Sequence, residues 1–299
     1  GLKPVVLSSK EGLILLSGTT SVTAFASLAI YDAQTLSLTA DIAGSFTLEV
    51  LKGTLMAMDE RLMAVRPHPD QINTAANIRA ILKDSPMLER YRGHRVQDAL
   101  SIRCMPQLHG PVKKAVKDAQ ATLAIELNSS VDNPLIFDEE DGGAVALMGC
   151  NADGTYAGMA SDNLCIAITD LCKMSNSRID RLLNSLVSEL PAFLNKNADF
   201  NNGLMMIQYA SAGLQGELRI LAHPAVVDNL TTCANQEDYV NMGYNAAKKA
   251  YDSMHLAKYI LAAELICDGQ ALDCYEDKRC AKGTQAIYDL LRTKVPEMD

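Results

Sequence analysis

The chain has 299 residues, 48% hydrophobic and 21% charged, the balance of an ordinary globular protein with room for a large core. A net charge of −9 with no basic block excludes nucleic acid and anionic membrane surfaces as electrostatic partners. Eight scattered cysteines without a CxxC pair, and no apolar run long enough to cross a bilayer, point to a reduced, cytoplasmic protein without a disulfide framework or metal site.

Helical periodicity dominates from the start. Val22, Phe25, Ala26, Ala29, Ile30 and Ala33 share one face at three- and four-residue steps. Arg66-Pro67-His68-Pro69 breaks the pattern, because two prolines one residue apart cannot sit inside a helix. In Arg95–Cys104, Gln97 and Arg103 are six apart, and Pro106 suggests that a helix ends about there. Gly110-Pro111 reads as a further helix boundary, followed by the face Val112, Ala115, Val116, Ala119, Leu123. Asp132-Asn133-Pro134 opens a turn into a β-hairpin, with strands over 135–137 and 144–148. Ile168, Leu171, Cys172, Ser175, Ile179 and Leu182 form a third helical face. His223-Pro224 marks another boundary, and Leu256, Tyr259, Ile260, Ala263, Ile266 and Cys267 form a fourth face. Abundant alanine lets long helices approach closely. The expected fold is mainly α, a long-helix bundle with one small β-hairpin near 134–148, in a single helical domain over 1–299.

Three polar clusters carry candidate chemistry. Arg103 at a helix end suits a two-point grip on a carboxylate, or a structural ion pair with Asp98 or a neighbouring helix. In Ala234–Asp238, a carboxylate beside two amides could orient a substrate amine or imidazole, or act as a base. The same residues also read as the acidic N-terminus of a helix. Gly149–Gly154 allows a tight backbone path beside a cavity, or a plain turn after the hairpin. The five histidines do not pair at metal-ligand spacing, and no nucleophile elbow or phosphate loop is present.

Taken in order, these segments resemble the C-terminal half of the histidine/phenylalanine (aromatic amino acid) ammonia-lyase family. The resemblance is carried by Lys10-Glu11-Gly12-Leu13, Gly18-Thr19-Thr20, Asp41-Ile42-Ala43-Gly44 and Arg66–Gln71. It continues through Arg95-Val96-Gln97-Asp98, Ser101-Ile102-Arg103-Cys104, Pro106-Gln107 and Asp132-Asn133-Pro134-Leu135. Leu221-Ala222-His223-Pro224, Val227-Asp228 and Ala234-Asn235-Gln236-Glu237-Asp238 complete a series covering about Leu7 to Asp273. The residues after 273 stay unplaced.

The resemblance implies long, nearly parallel helices in a homotetramer whose active sites each draw on three subunits. It also implies elimination of an amine from an α-amino acid to give an unsaturated acid. The family's electrophile is a methylidene-imidazolone formed from an internal Ala-Ser-Gly. By position, Arg103 matches the residue that binds the substrate carboxylate. Gln97, Asn151 and Glu237 match other pocket residues, with Gln236 beside them. Glu237 is the histidine-type choice and the candidate base. Ser17 stands where the family has a cofactor-contacting Asn, Leu100 where it usually has Tyr, Ala152 where it has Phe, and Asp153 where histidine-type enzymes have His.

No Ala-Ser-Gly occurs in the 299 residues, and Leu16-Ser17-Gly18 is the nearest string. The first expectation is a lyase fragment or subunit, multimeric and tetramer-like, whose methylidene-imidazolone comes from an upstream segment or a companion N-terminal-half chain. The second is a lyase resembling ergothionase, which expels trimethylamine without that electrophile. The third is a non-catalytic structural subunit.

Overall fold

The computed structural model describes residues 1–197 and 201–298. Its principal helices are α1 (Thr20–Val50), α2 (Pro69–Ile81), the one-turn α3 (Leu100–Arg103), α4 (Met105–Glu126), α5 (Thr155–Leu183), α6 (Met205–Leu221), α7 (Gly243–Asp273) and α8 (Lys282–Arg292). Shorter helical turns join them. Between α4 and α5 lies the hairpin β1 (Leu135–Asp138) and β2 (Ala144–Leu147), antiparallel with Leu135 opposite Leu147. It falls where the alternation of turn and apolar residues places it, and its side chains are mostly exposed.

Side-chain pairings fix the directions. Phe25 meets Tyr244, Asp32 meets Lys258, and Thr47 meets Glu264, so α1 and α7 run parallel. Gly158 lies against Gly243 and Ser175 bonds Glu264, so α5 runs with them. Gln34 reaches Gln120 and Asp41 reaches His109, so α4 is antiparallel to α1. Gln208–Asp180 and Ser211–Asn176 make α6 antiparallel to α5.

The first turns of α1 bury Val22, Ala26, Ala29, Ile30 and Ala33 of the expected face, with Thr23 beside them and Phe25 half-buried. From Ala43 to Val50 every residue is buried, because other elements close around the helix on all sides. Small residues make this possible. A Cβ on Gly158 would lie 2.9 Å from the Cα of Gly243, so α5 and α7 meet backbone to backbone.

Buried polar groups are concentrated where the helices crowd. Arg178 and Glu264 are fully buried and paired, and the Arg178 Nη1 also donates to the Ser101 carbonyl at 3.2 Å. Thr47 Oγ1 lies 2.9 Å from Glu264 Oε1 and 2.7 Å from Asp268 Oδ1. A hydroxyl carries one hydrogen, so it donates to one carboxylate and accepts a proton held by the other. Burial, and then the adjacent Glu264 charge, hold the Asp268 carboxyl well above the usual carboxylate range, which makes Asp268 the protonated partner.

One boundary expectation holds, with Pro106 opening the next helix, and one is corrected. Pro106 sits in the first turn of α4, where its missing N–H costs nothing, so it begins a helix and α3 ends earlier, at Arg103. Pro111 lies inside α4. The preceding Gly110 has no Cβ to strike the proline ring, and it packs so closely on Gln71 that a Cβ there would lie 2.8 Å from the Gln71 nitrogen. The residues after 273 do find a place. The Ala281 amide donates to Glu49 at 2.8 Å, and Lys278, Tyr288 and Arg292 converge on Asp273.

Candidate active site

The parallel run of α1, α5 and α7 gathers their N-termini at one end, with the C-terminus of α4. The loops that meet there carry six of the nine candidate residues. Ser17 is exposed and precedes Gly18, whose φ of 95° suits glycine. A Cβ on Gly18 would overlap the Val131 carbonyl, so this loop packs directly on the 130–134 segment. Lys10 reinforces the contact with an ion pair to Asp132 at 2.6 Å and a bond to the Pro134 carbonyl. On its other side the segment holds the turn after the hairpin. Asn133 accepts the Gly149 N–H at 2.9 Å, and Asn151 donates to the Ser130 carbonyl at 3.4 Å.

Ala152 and Asp153 follow, half-buried. Asp153 accepts the Thr155 N–H at 2.8 Å and so finishes the start of α5. The Thr155 hydroxyl meets the Tyr239 hydroxyl at 3.1 Å, which brings in the loop bearing Gln236 and Glu237. That loop is not the helix N-terminus that its acidic run suggested. It is a short turn at Cys233–Asn235 closed by a bridge between Thr232 and Glu237, and α7 begins only at Gly243. The Thr232 hydroxyl donates to Glu237 Oε2 at 2.7 Å, and together with Cys233 it holds the Glu237 carboxyl below its ordinary value. At neutral pH Glu237 is therefore a carboxylate, the form a base requires.

Gln97, Leu100 and Arg103 lie elsewhere. Asp98 anchors their segment by accepting the Thr54 N–H at 2.8 Å just beyond the end of α1, which leaves Gln97 exposed. Arg178 holds the Ser101 carbonyl, and with it the α3 turn, against the core. Leu100 is 62% exposed. Arg103 is half-buried, and its guanidinium pairs with neither Asp98 nor a neighbouring helix among the described residues.

The two groups are far apart. Gly154 lies beside Val22, whereas Met105 and Arg178 lie beside Gly44. Twenty-two steps along α1 separate those levels, roughly 33 Å at 1.5 Å per residue. One copy of the chain cannot close Arg103 and Glu237 around the same small molecule.

The family described as aromatic amino acid lyase matches residues 1–293. The chain belongs to the aromatic amino acid lyase family. This family member is 42% identical over 298 residues to the histidine ammonia-lyase of Alkaliphilus oremlandii, covering 100% of the chain and 58% of that protein. The crystal structure of histidine ammonia-lyase from Trypanosoma cruzi superposes with a TM-score of 0.89 at 35% identity, over 100% of this chain and 56% of that one. The ergothioneine-degrading ergothionase of Treponema denticola superposes with a TM-score of 0.90 at 26% identity, over 99% and 59%. This lyase-family chain thus spans a little over half the length of the relatives it matches.

Reasoning from motifs missed Thr232, Tyr239 and Thr155, which set the ionisation and placement of the Glu237 loop. Nothing in the linear order shows that the Thr232 hydroxyl folds back on Glu237.

Proposed function

We propose that this chain forms part of a histidine-type ammonia-lyase, a carbon–nitrogen lyase that eliminates the amine of an α-amino acid and leaves an unsaturated acid. The observation that carries the reading is the separation of two complementary groups. The Arg103 guanidinium, without an ion-pair partner among the described residues, suits the substrate carboxylate, and an ionised, exposed Glu237 suits the imidazole side or the β-proton. Because they lie at opposite ends of one bundle, a complete site forms between copies, in a tetramer-like assembly. Gln97 and Leu100 accompany Arg103, while Ser17, Asn151, Ala152, Asp153 and Gln236 accompany Glu237. The identity to histidine ammonia-lyases, well above that to ergothionase, supports the histidine-type reading.

The family's methylidene-imidazolone supplies an electrophile that turns an ordinary amine into a leaving group. The exposed Ser17 hydroxyl, without a partner among the described residues, fits a hydrogen-bonding role toward such a group where an amide is usual. Leu100 offers no hydroxyl. A segment carrying Ala-Ser-Gly, upstream or on a companion chain, would provide the group itself.

The test is to supply histidine, phenylalanine, tyrosine and a trimethylated betaine, and to measure ammonia and trimethylamine separately. The 299 residues alone should release no ammonia. With a polypeptide carrying Ala-Ser-Gly they should release it from histidine. Ammonia from the chain alone would overturn the dependence on that segment. Trimethylamine from the betaine, without ammonia from histidine, would replace the reading with an electrophile-independent lyase.

A further inference from the structure

We propose that Asn229 is the positioning residue of the Glu237 loop, its side-chain amide closing residues 229–240 into a ring that sets the direction of the Glu237 carboxylate. The inference rests on Glu237 serving the reaction proposed above.

Residues 227–239 are all exposed in the single chain, so no apolar anchor within it holds this stretch to its own bundle. A polar segment without buried contacts keeps one geometry only through its hydrogen bonds. Asn229 provides two of them at the neck. Its Nδ2 donates to the Asp238 carbonyl at 3.0 Å, and its Oδ1 accepts the Val240 N–H at 2.9 Å. These bonds bracket Tyr239 as the peptide group of a neighbouring strand would. They also aim Tyr239 toward Thr155 at the start of α5, the loop's other tie to the bundle.

Further out, Thr232 and Glu237 exchange backbone bonds of 2.8 and 3.4 Å, and the Thr232 hydroxyl meets the carboxylate. Between them Cys233, Ala234 and Asn235 take φ values of 50°, 52° and 73°. Three consecutive side-chain-bearing residues in the left-handed region are strained, and such a backbone persists only where its surroundings hold it. The neck that Asn229 closes is that constraint. Asn229 bonds to Asp238 and Val240, not to the Glu237 carboxylate, so it acts through the backbone that carries Glu237.

The experiment compares wild type, Asn229→Ala and Asn229→Asp in the assembled, active complex. It measures amide hydrogen exchange at Val240 and Glu237, thermal stability, and kcat and KM separately. In Asn229→Ala, exchange at Val240 should quicken by about two- to tenfold, the weight of one ordinary hydrogen bond. kcat should fall by at least about tenfold, the scale of a misplaced reacting group, with KM and Tm little changed. Asn229→Asp keeps the acceptor for Val240 and loses the donor to Asp238, so it should fall between. A purely structural role would lower Tm and leave kcat alone. Unchanged exchange, or unchanged kcat in an active complex, would overturn the proposal by itself. A wild-type complex inactive on every substrate above would overturn it together with the reading beneath it.

Discussion

Arg103 and Glu237 show how different the demands on two site residues are. The guanidinium sits at the end of one helical turn, held from behind by the Arg178–Ser101 contact, and keeps its planar fork for a ligand. Arg103→Lys retains the charge and loses the two-point geometry. It should lower kcat/KM by about ten- to hundredfold, the weight of a charged hydrogen bond, without moving Tm. Product formation at wild-type efficiency would remove Arg103 from the site. At Glu237 the decisive neighbour is Thr232, whose hydroxyl stabilises the ionised form. Thr232→Val removes that donor, so the carboxyl pKa rises. The acidic limb of the kcat profile should then shift to higher pH, because protonated Glu237 is inactive as a base. A profile with the same acidic limb would mean that another group carries it.

Among the elements, the α5–α7 contact is a close constraint on the candidate site. Gly158 touches Gly243, and a Cβ on Gly243 would lie 2.7 Å from the Gly154 carbonyl, next to the Asp153 turn. Alanine is the better helix former by about 1 kcal/mol, but overpacking costs about 1–3 kcal/mol. Gly158→Ala should therefore destabilise, whereas Gly213→Ala, with nothing within 4 Å of its Cβ, should be neutral or stabilising. Chemical denaturation of the two variants reads the difference directly, and equal midpoints would show that the crossing can relax. The apolar faces of α1, α4, α5 and α7 were legible as periodicity. Pro111 was misread as a boundary although the missing Cβ of Gly110 lets the helix run through it; the close contact that requires a glycine there, with Gln71 thirty-nine residues earlier, is visible only in the fold.

Over the whole molecule, the buried Thr47–Glu264–Asp268–Arg178 network joins α1, α5 and α7. The native chain keeps a proton on Asp268 that the unfolded chain releases. That contribution to stability is complete below the ordinary carboxylate range and is lost as pH climbs from there through the raised folded-state value. Asp268→Asn is neutral at every pH. Its Tm relative to wild type should therefore rise steadily as pH climbs above the ordinary carboxylate range, and a flat difference would place the proton elsewhere. The largest-scale consequence concerns assembly. If each site takes Arg103 from one copy and Glu237 from another, Arg103→Ala and Glu237→Ala chains, each inactive by itself beside the polypeptide carrying Ala-Ser-Gly, should complement when both are coexpressed with that polypeptide. Random mixing leaves roughly a quarter of the sites with both native residues, from the independent draw of two subunits in a closed oligomer. No recovered activity, or a stable monomer in sedimentation, would count against a shared site.

The order of residues was enough to determine the helical class, the hairpin near 134–148 and the family. Periodicity and short motifs are local properties, and each of these needs only neighbours in the chain. Local order could not show that Arg103 and Glu237 belong to levels of the bundle roughly 33 Å apart along α1, because that separation depends on α4 running back against α1. It could not reveal the shared proton at Thr47, whose two carboxylate partners lie more than two hundred residues away. Nor did it make a closed ring of the acidic run before α7, where the neck bonds of Asn229 and the Thr232 hydroxyl decide the shape. Those features are products of helix direction and side-chain contact, which come into being only when the bundle closes.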